Sequence, residues 1–183
     1  MNNIKNITDR SFIDTFKEGD MEAFEWIYNE TKEFVFKIIY KMVHIPQEAE
    51  DLMQDTFIKL YEKRRTFKNQ SSIKTWIYRM AVNNTLNHLK KKKRFNEGIL
   101  QYRPEQEEVD TNDNEAKTRI VQNLLSKINP SYKICLLLKE NEKMSYADIA
   151  KTLDINIGTV RSRINRAKKE LVKLYKKEVS SNE

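Results

Sequence analysis

Apolar residues in the first half of the chain recur at the spacing of amphipathic helices. Over residues 21–43 they return every three or four positions, which places them on one face of a helix. A second run predicts a helix over about 46–63. A third predicts a long helix that Ser71 or Ser72 can cap and that reaches about residue 94. The first half is therefore predicted to be a three- to four-helix bundle.

The second half shows the same helical period after a polar interruption. Over 95–118 the apolar period fades and acidic and amide residues dominate, which is typical of a flexible linker. Beyond it the spacing predicts four helices, at about 119–128, 130–141, 145–153 and 157–177. With only three Gly and three Pro, a sheet is not expected. The predicted fold is all-α: two small helical domains, 1–94 and 119–183, joined by a flexible acidic linker.

Charged side chains are unevenly distributed along the chain. Residues 63–94 carry 11 basic and no acidic side chains, and residues 119–178 carry 14 basic and six acidic ones. Between them, 95–118 carries two basic and seven acidic side chains. A net charge of +7 alone is equally typical of a soluble lysine-rich protein. Two separate positive blocks, however, predict two nucleic-acid surfaces rather than one diffuse basic coat.

Several kinds of chemistry are not expected from this sequence. Cys135 lies in the apolar stretch ICLLLK, where a buried free thiol in a reducing compartment is expected rather than a nucleophile. His44 and His88 have no ligand-spaced partners, and no Ser/His/Asp set or catalytic carboxylate pair is evident. We therefore expect no enzyme activity, no cofactor and no metal. No signal-like or membrane-spanning apolar run is found, so we expect a cytoplasmic protein without membrane insertion.

A short helix, a tight turn and a longer basic helix are predicted for residues 145–171, which read SYADIAKTLDINIGTVRSRINRAKKEL. Ser145 and Asp148 form a capping box, and Asp154 occupies the turn, where Asp tolerates a left-handed backbone better than most residues. The inward face of the second helix is predicted to hold Val160, Ile164, Ala167, Leu171, Leu174 and Tyr175. The outward face holds Arg161, Ser162, Asn165, Arg166, Lys169 and Lys173.

Outward side chains of this kind suit a DNA reader. Arg can bind guanine, Asn can bind adenine, and Lys neutralises phosphates. With the turn chemistry, they predict a DNA-reading helix-turn-helix. The alternative is a solvated face on an ordinary helical bundle.

The helix predicted to end at about residue 94 has a different kind of polar side. Its apolar face is predicted to hold Tyr78, Ala81, Val82, Thr85, Leu86 and Leu89. Its other side combines an aromatic ring, a thioether, three amides and a basic end: Trp76, Met80, Asn83, Asn84, Asn87, Lys90, Lys91 and Arg94. Unpaired bases stack on aromatic rings, and amides recognise their exposed edges, so this side is predicted to bind melted DNA. Taken alone, Trp76 would be an ordinary core tryptophan.

The helix predicted over 46–63 has an acidic side. Four polar residues and one apolar residue recur there at helical spacing: Asp51, Gln54, Asp55, Ile58 and Glu62. Acidic groups repel DNA, so this side is predicted to bind a protein that presents basic groups. The alternative is an ordinary solvated helix surface.

In this order, the three surfaces resemble those of bacterial RNA polymerase sigma factors of the sigma-70 family, extracytoplasmic-function class. AEDLMQDTFIKLYEKRRTF is similar to the family's core-binding segment, and SSIKTWIYRMAVNNTLNHLKKKKR to its −10 melting segment. SYADIAKTLDINIGTVRSRINRAKKEL is similar to its −35 reader. The resemblance covers about 12–94 and 119–177. It implies a protein that binds core RNA polymerase and directs it to specific promoters, with 1–94 as sigma region 2 and 119–183 as sigma region 4.

The resemblance also implies a role for each matching position. Contacts with the coiled coil of the large beta-prime polymerase subunit fall on Asp51, Gln54, Asp55 and Ile58. Capture of single-stranded −10 DNA falls on the loop residues Phe67, Lys68, Asn69, Gln70 and Ser71, and on Trp76, Met80, Asn83 and Asn87. Reading of double-stranded −35 DNA falls on Arg161, Ser162, Asn165, Arg166 and Lys169. Further partners implied are the polymerase beta flap and an anti-sigma factor.

The sequence departs from the family pattern in two respects. Housekeeping sigma factors have two adjacent aromatic residues where this chain has Trp76 and Ile77, so we expect weaker melting and stricter promoter requirements. Asp154 and Lys143 stand where the family often has Gly. The fine geometry of the reader therefore depends on two residues that adopt a left-handed backbone less readily than Gly.

Two other functions stay open at this point. A stand-alone helix-turn-helix repressor or activator would explain 119–177 but would leave the acidic side and the Trp/Asn side without a use. A nuclease would need a metal-binding carboxylate cluster beside a basic cleft, and the sequence offers no such cluster.

Overall fold

The computed structural model describes residues 10–98, 120–121 and 123–180, which contain helices and no strand. The helices are α1 Arg10–Glu18, α2 Met21–Val43, α3 Pro46–Glu62, α4 Ile73–Gly98, α5 Pro130–Glu140, α6 Tyr146–Leu153 and α7 Ile157–Val179. A short 3-10 helix, Arg64–Thr66, follows α3, and 123–127 is also helical. The all-α prediction is confirmed. Helix α4 runs past its predicted end into the predicted linker, the rest of which lies outside the described residues.

The described chain divides into two compact units. The first takes in the described part of Met1–Thr85 together with Ala150–Asn156. The second takes in the described part of Leu86–Ile149 and Ile157–Glu183. Within the first unit, Arg79 donates two hydrogen bonds, of 2.5 and 3.4 Å, to backbone carbonyl oxygens in the last turn of α6.

Helix α1 is not predicted by the apolar period, yet it supplies three side chains to the core: Phe12, Ile13 and Phe16. The ring of Phe12 meets Trp26 edge-on, with 5.1 Å between ring centroids. Gly19 joins α1 to α2 with a φ of +102°, a conformation that suits a residue without Cβ. Asp20 then caps α2, because its Oδ1 accepts a hydrogen bond of 2.7 Å from the N–H of Ala23.

The apolar faces of α2, α3 and α4 pack together in the first unit. The most completely buried side chains include Ile27, Val35, Ile39, Leu60, Ile73 and Ile77. Three buried threonines donate to the backbone carbonyl one turn earlier, over 2.7 to 2.8 Å: Thr31, Thr56 and Thr85. Each buried hydroxyl therefore keeps a hydrogen bond, which removes the penalty for burying it.

The buried face of α4 differs in part from the prediction. Ile73 and Ile77 are at most 1% exposed, although neither was expected on that face, and they lie in the core with Ala81. Three residues expected on the buried face are only half-buried: Tyr78, Leu86 and Leu89. The predicted cap is present, because Ser72 Oγ accepts a hydrogen bond of 3.1 Å from the N–H of Thr75.

Helices α5 and α7 pack against each other in the second unit. Their contact buries a set of aliphatic side chains completely or nearly so: Ile134, Leu138, Val160, Ile164 and Ala167. Lys168 on α7 pairs with Glu140 at the end of α5, at 3.0 Å. The hydrogen bond from Lys168 lowers the pKa of the Glu140 carboxyl. Cys135 is a buried free thiol, as predicted.

Lys133 is an unusual member of the α5 core. It is only 3% exposed, and burial lowers the pKa of its ammonium to about 8. Burial disfavours the charged form of an amine because the protein interior solvates charge less well than water. Between pH 8 and the ordinary lysine pKa, the unfolded chain therefore binds more protons than the folded one.

Replacing this amine predicts a pH-dependent gain in stability. Below pH 8 the folded state carries the penalty of a buried ammonium, and the penalty fades as the pH rises toward the pKa of an unfolded lysine. Lys133→Met is expected to raise the free energy of unfolding at pH 7 by about 1–3 kcal/mol and to flatten its rise above pH 8. Urea unfolding at pH 7 and pH 9.5, followed by circular dichroism, measures both effects. Lys176→Met, at an exposed position, is the control and should leave the pH dependence unchanged.

Candidate nucleic-acid interface

The outward face of α7 is the first predicted DNA surface. Its six polar side chains are all exposed: Arg161, Ser162, Asn165, Arg166, Lys169 and Lys173. On the inward face, Val160, Ile164 and Ala167 are buried, and Leu171 and Leu174 are half-buried. The predicted facing of this helix is therefore confirmed. Its C-terminal end is the exception.

Tyr175 was expected to pack inward, and this expectation is wrong. Its side chain is 55% exposed, and its neighbour Val172 is 56% exposed. The packing contact with α5 buries the inward residues Val160, Ile164 and Ala167, but Leu171 and Leu174 are only partly buried. Beyond the contact with α5, apolar residues of α7 such as Val172 and Tyr175 keep the helical spacing but are exposed.

The turn before the reader helix has the predicted chemistry. Ser145 Oγ accepts a hydrogen bond of 3.1 Å from the N–H of Asp148 and donates one of 2.6 Å to Asp148 Oδ2, which together begin α6. Asp154 adopts a left-handed backbone with φ +57° in the turn, and Lys143 does the same with φ +53°. The two residues that stand where the family often has Gly therefore adopt the conformation that Gly favours.

On α4 the predicted Trp/Asn side is only partly open to solvent. Asn83 and Asn87 are exposed, whereas Trp76 and Met80 are half-buried and pack against the core. Asn84 has a structural role instead, because its side chain joins α4 to α3. Its Nδ2 donates to the carbonyl oxygen of Leu52 over 3.4 Å, and its Oδ1 accepts from Lys59. This side therefore presents two exposed amides and a half-buried indole.

The loop between α3 and α4 is irregular, as the resemblance implied. Lys68, Asn69 and Gln70 are exposed, and Ser71 is half-buried. Asn69 has a left-handed backbone with φ +57°, a region that Asn tolerates better than most residues. The loop turns there and presents its polar side chains to solvent.

Phe67 requires a correction within this loop. Its ring is 5% exposed and lies 5.0 Å from the Trp76 ring, between centroids, with Lys17 Nζ 5.7 Å from its own centroid. A ring that is buried in this way has no free face on which a base can stack. We therefore remove Phe67 from the predicted DNA contacts. In the structure it supports Trp76.

The C-terminal part of α4 adds a residue that the sequence interpretation passed over. The basic residues at 90–94 are exposed, and Phe95, which was assigned to the linker, is 68% exposed next to them. A large exposed ring beside several cations has the chemistry that suits stacking on a base and contacts with phosphates. The continuation of helical spacing through residue 95 is the signal that places this ring on α4.

The acidic side of α3 faces solvent along its length. All five predicted residues are exposed: Asp51, Gln54, Asp55, Ile58 and Glu62. Ile58, the one apolar member, is 57% exposed. The opposite face of α3 holds Leu52, Phe57 and Leu60 in the core. A helix that buries one side and exposes an isoleucine among carboxylates on the other has a surface suited to a protein partner.

The described residues show neither a metal-site arrangement nor a membrane-spanning helix. Among the residues that the structure describes, no group of three or more His, Cys, Asp or Glu side chains is arranged to hold a metal ion. In those same ranges, no helix is both long and apolar enough to cross a membrane.

Comparison with known proteins assigns the chain to a family. A family model of sigma-70 region 2 matches residues 27–95, and one of sigma-70 region 4 matches residues 118–171. An ECF RNA polymerase sigma-E factor from Haemophilus influenzae is 33% identical over 177 residues, which cover 90% of this chain and 93% of that protein. The chain belongs to the sigma-70 family of RNA polymerase sigma factors, in its extracytoplasmic-function class.

Further relatives agree with this sigma-factor assignment. The ECF RNA polymerase sigma factor SigW of Bacillus subtilis is 31% identical, over 86% of this chain and 91% of that protein. Among solved structures, the sigma factor RpoE in complex with the anti-sigma factor NepR, from Bartonella quintana, superposes with a TM-score of 0.62. It is 23% identical, with 85% of this chain and 98% of that chain covered, and it supports the fold.

The family defines the role of the chain. It is a sigma factor: it binds core RNA polymerase and directs it to promoter DNA. The two family models together cover both halves of the chain, so the stand-alone repressor or activator, which explains only 119–177, is not favoured.

The left-handed backbone at Lys143 predicts a gain in stability on substitution by Gly. A side chain with a Cβ is strained at φ +53°, and Gly is not, although Gly also makes the unfolded chain more flexible. Lys143→Gly is expected to raise the free energy of unfolding by about 0.5–1 kcal/mol. The same change within helix α6, Lys151→Gly, is expected to lower it by about 1 kcal/mol. Thermal or urea unfolding compares the two variants, and a loss of stability in both would contradict a strained backbone at Lys143.

Proposed function

We propose that three surfaces of this sigma factor each make a different contact during promoter recognition. The acidic side of α3 binds core polymerase, the loop and the Trp/Asn side of α4 capture melted −10 DNA, and the outward face of α7 reads −35 DNA. Sigma region 2 would occupy 1–94 and region 4 would occupy 119–183, with 95–118 as the linker. One observation carries the proposal: apart from Phe67, the residues assigned to these surfaces reach solvent wholly or in part, on helices whose opposite faces are buried.

The proposed polymerase contact rests on charge and on one exposed apolar side chain. Asp51, Gln54 and Asp55 present acceptors to solvent, and Ile58 lies beside them with more than half of its surface exposed. Basic groups on the coiled coil of the beta-prime subunit would pair with the carboxylates while Ile58 is buried in the contact. Pairing opposite charges around a small apolar centre gives both orientation and affinity.

The proposed −10 contact rests on the half-buried indole. The half-buried ring of Trp76 lies 5.0 Å, between centroids, from the buried ring of Phe67, and helical spacing places Trp76 on the same side of α4 as Asn83 and Asn87. A rigid ring loses little conformational entropy when a base stacks on it, and exposed amides can bind the unpaired edge of that base. The loop residues Lys68, Asn69, Gln70 and Ser71 would hold a base that has left the duplex.

The proposed −35 contact rests on the exposed face of α7. Arg161, Asn165 and Arg166 would bind base edges in the major groove, while Ser162 and Lys169 would contact the backbone. Both DNA contacts and the polymerase contact are binding events, so we propose that the chain contributes no covalent step to transcription. A protein that assembles with core polymerase acts where the polymerase is, in the cytoplasm.

We also propose that other proteins cover the exposed apolar side chains. Val172 and Tyr175 on α7 form a pair that is more than half exposed, and such a pair suits burial against the polymerase beta flap. An anti-sigma factor would compete for the same kind of surface. RpoE of Bartonella quintana, which has a similar fold, forms a complex with the anti-sigma factor NepR.

A charge reversal on α3 tests the proposed polymerase contact. Asp55 is exposed, so Asp55→Arg is expected to leave the unfolding temperature unchanged. Opposite a basic coiled coil the new guanidinium would repel its partner, and the affinity for core polymerase is expected to fall at least about ten-fold. Titration of labelled sigma factor into core polymerase, followed by fluorescence anisotropy, measures this affinity.

The matched control makes the same charge change on another helix. Glu30 is an exposed carboxylate on α2, outside the acidic side of α3, and Glu30→Arg is expected to keep the affinity for core polymerase near that of the unchanged protein. Equal affinities for all three proteins would remove the assignment of α3 to the polymerase contact.

A further inference from the structure

Arg166 on the reader helix is held by a tyrosine from another helix. Its Nη1 donates a hydrogen bond of 3.1 Å to the hydroxyl oxygen of Tyr132 on α5. Its guanidinium carbon lies 5.9 Å from the centroid of the Tyr132 ring, within range of a cation–π contact. Two features of one side chain, the hydroxyl and the ring, therefore act on one guanidinium.

Tyr132 is itself fixed by the way α5 begins. Asn129 caps the helix, with its Oδ1 accepting a hydrogen bond of 2.9 Å from the N–H of Ser131, and Pro130 occupies the first position. The N–H of Asn129 donates to Glu170 Oε2 on α7 over 3.4 Å, one turn beyond Arg166. The first turn of α5 is thus tied to α7, and the half-buried Tyr132 ring stands at a set place beside the reader face.

Holding the Arg166 side chain in this way affects how it binds a base edge. A free Arg side chain samples many rotamers, and ordering it on a base costs conformational entropy. A guanidinium also binds a base edge bidentately only when its plane is correctly oriented. A contact that orders the side chain and its plane before DNA arrives reduces that cost, which is the general effect of preorganisation.

We propose that Tyr132 is a positioning residue for Arg166 and thereby sets base selectivity at one position of the −35 element. In this proposal Tyr132 acts through the orientation of the Arg166 guanidinium rather than through a base contact of its own. The inference deepens the proposed function and rests on it, because it requires that Arg166 reads a base. It singles out one base pair of the promoter, the one that Arg166 contacts.

Removal of the hydroxyl is the sharpest test. Tyr132→Phe keeps the ring and the packing but removes the hydrogen-bond acceptor. Transcription by polymerase reconstituted with this variant, from promoters randomised over the −35 element, is expected to show a fall of about two- to ten-fold in preference at the base pair that Arg166 reads. Preference at the other base pairs should change little. Tyr40→Phe removes a hydroxyl from a half-buried tyrosine on α2, outside the three proposed surfaces, and should leave every preference unchanged.

A double-mutant cycle with Arg166→Ala separates positioning from a structural role. Arg166→Ala is expected to abolish preference at that base pair, and Tyr132→Phe is expected to have no further effect in its presence. If Arg166→Ala alters the preference but Tyr132→Phe does not, the inference about Tyr132 is overturned while the role of Arg166 stands. An equal effect of Tyr132→Phe with and without Arg166 also overturns it. If Arg166→Ala changes no preference, the proposed role of Arg166 fails, and the inference fails with it.

Discussion

The structure of this sigma factor depends on α4 having two faces that cannot both be buried. One face supplies Ile73, Ile77 and Ala81 to the core, and the burial of these side chains fixes the rotation of the helix about its axis. That rotation decides which residues remain at the surface. Asn83 and Asn87 are left exposed, and Trp76 is left at the boundary, half inside and half outside.

Hydrogen bonds from the polar side of α4 also fix the rotation of this helix about its axis. Asn84 donates to the carbonyl oxygen of Leu52 and accepts from Lys59, so a side-chain amide of α4 is tied to α3. If α4 rotated, the partly buried amide of Asn84 would lose its hydrogen-bond partners, which would destabilise the fold. Other rotations of α4 are therefore disfavoured. The same hydrogen bonds connect α3 to α4, so a polymerase bound at the proposed α3 surface would be held in fixed relation to bases at the proposed α4 surface.

The three proposed surfaces differ in charge. Carboxylates lie on the exposed side of α3, while the C-terminal part of α4 and the outward face of α7 carry cations. DNA would be repelled from the first and attracted to the other two, so electrostatics would favour the proposed partner at each surface before any close contact forms. In the proposed contacts, Ile58 and the indole of Trp76 would then act at short range.

The sequence was sufficient for features that depend on local spacing. The bounds of α2, α3 and α6, the outward face of α7 and the left-handed residue Asp154 follow from helical period and turn chemistry. Contacts between residues far apart in sequence could not be predicted in this way. The burial of Phe67 needs the position of Trp76 in space, and the pairing of Tyr132 with Arg166 joins residues 34 positions apart.

Partial burial also cannot be predicted from the helical spacing of apolar residues alone. Tyr175 has the spacing of an inward residue but lies beyond the contact of α7 with α5. Helix α1 has only nine residues, so its apolar face is short, and the packing of Phe12 against Trp26 shows that it belongs to the core. In both cases the prediction would need the extent of the neighbouring helix surface against which the residue packs. The sequence of one helix does not give that extent.

Photocrosslinking from α4 tests the central claim most directly. A photoreactive amino acid placed at Asn87, in sigma factor assembled with core polymerase, would report what lies against the exposed side of this helix. The account predicts crosslinks to unpaired −10 bases in complexes at a temperature that permits melting, and their loss when the promoter is kept double-stranded in the cold. Crosslinks of equal yield in both states, or none to the −10 element, would contradict the assignment of this side of α4 to melted DNA.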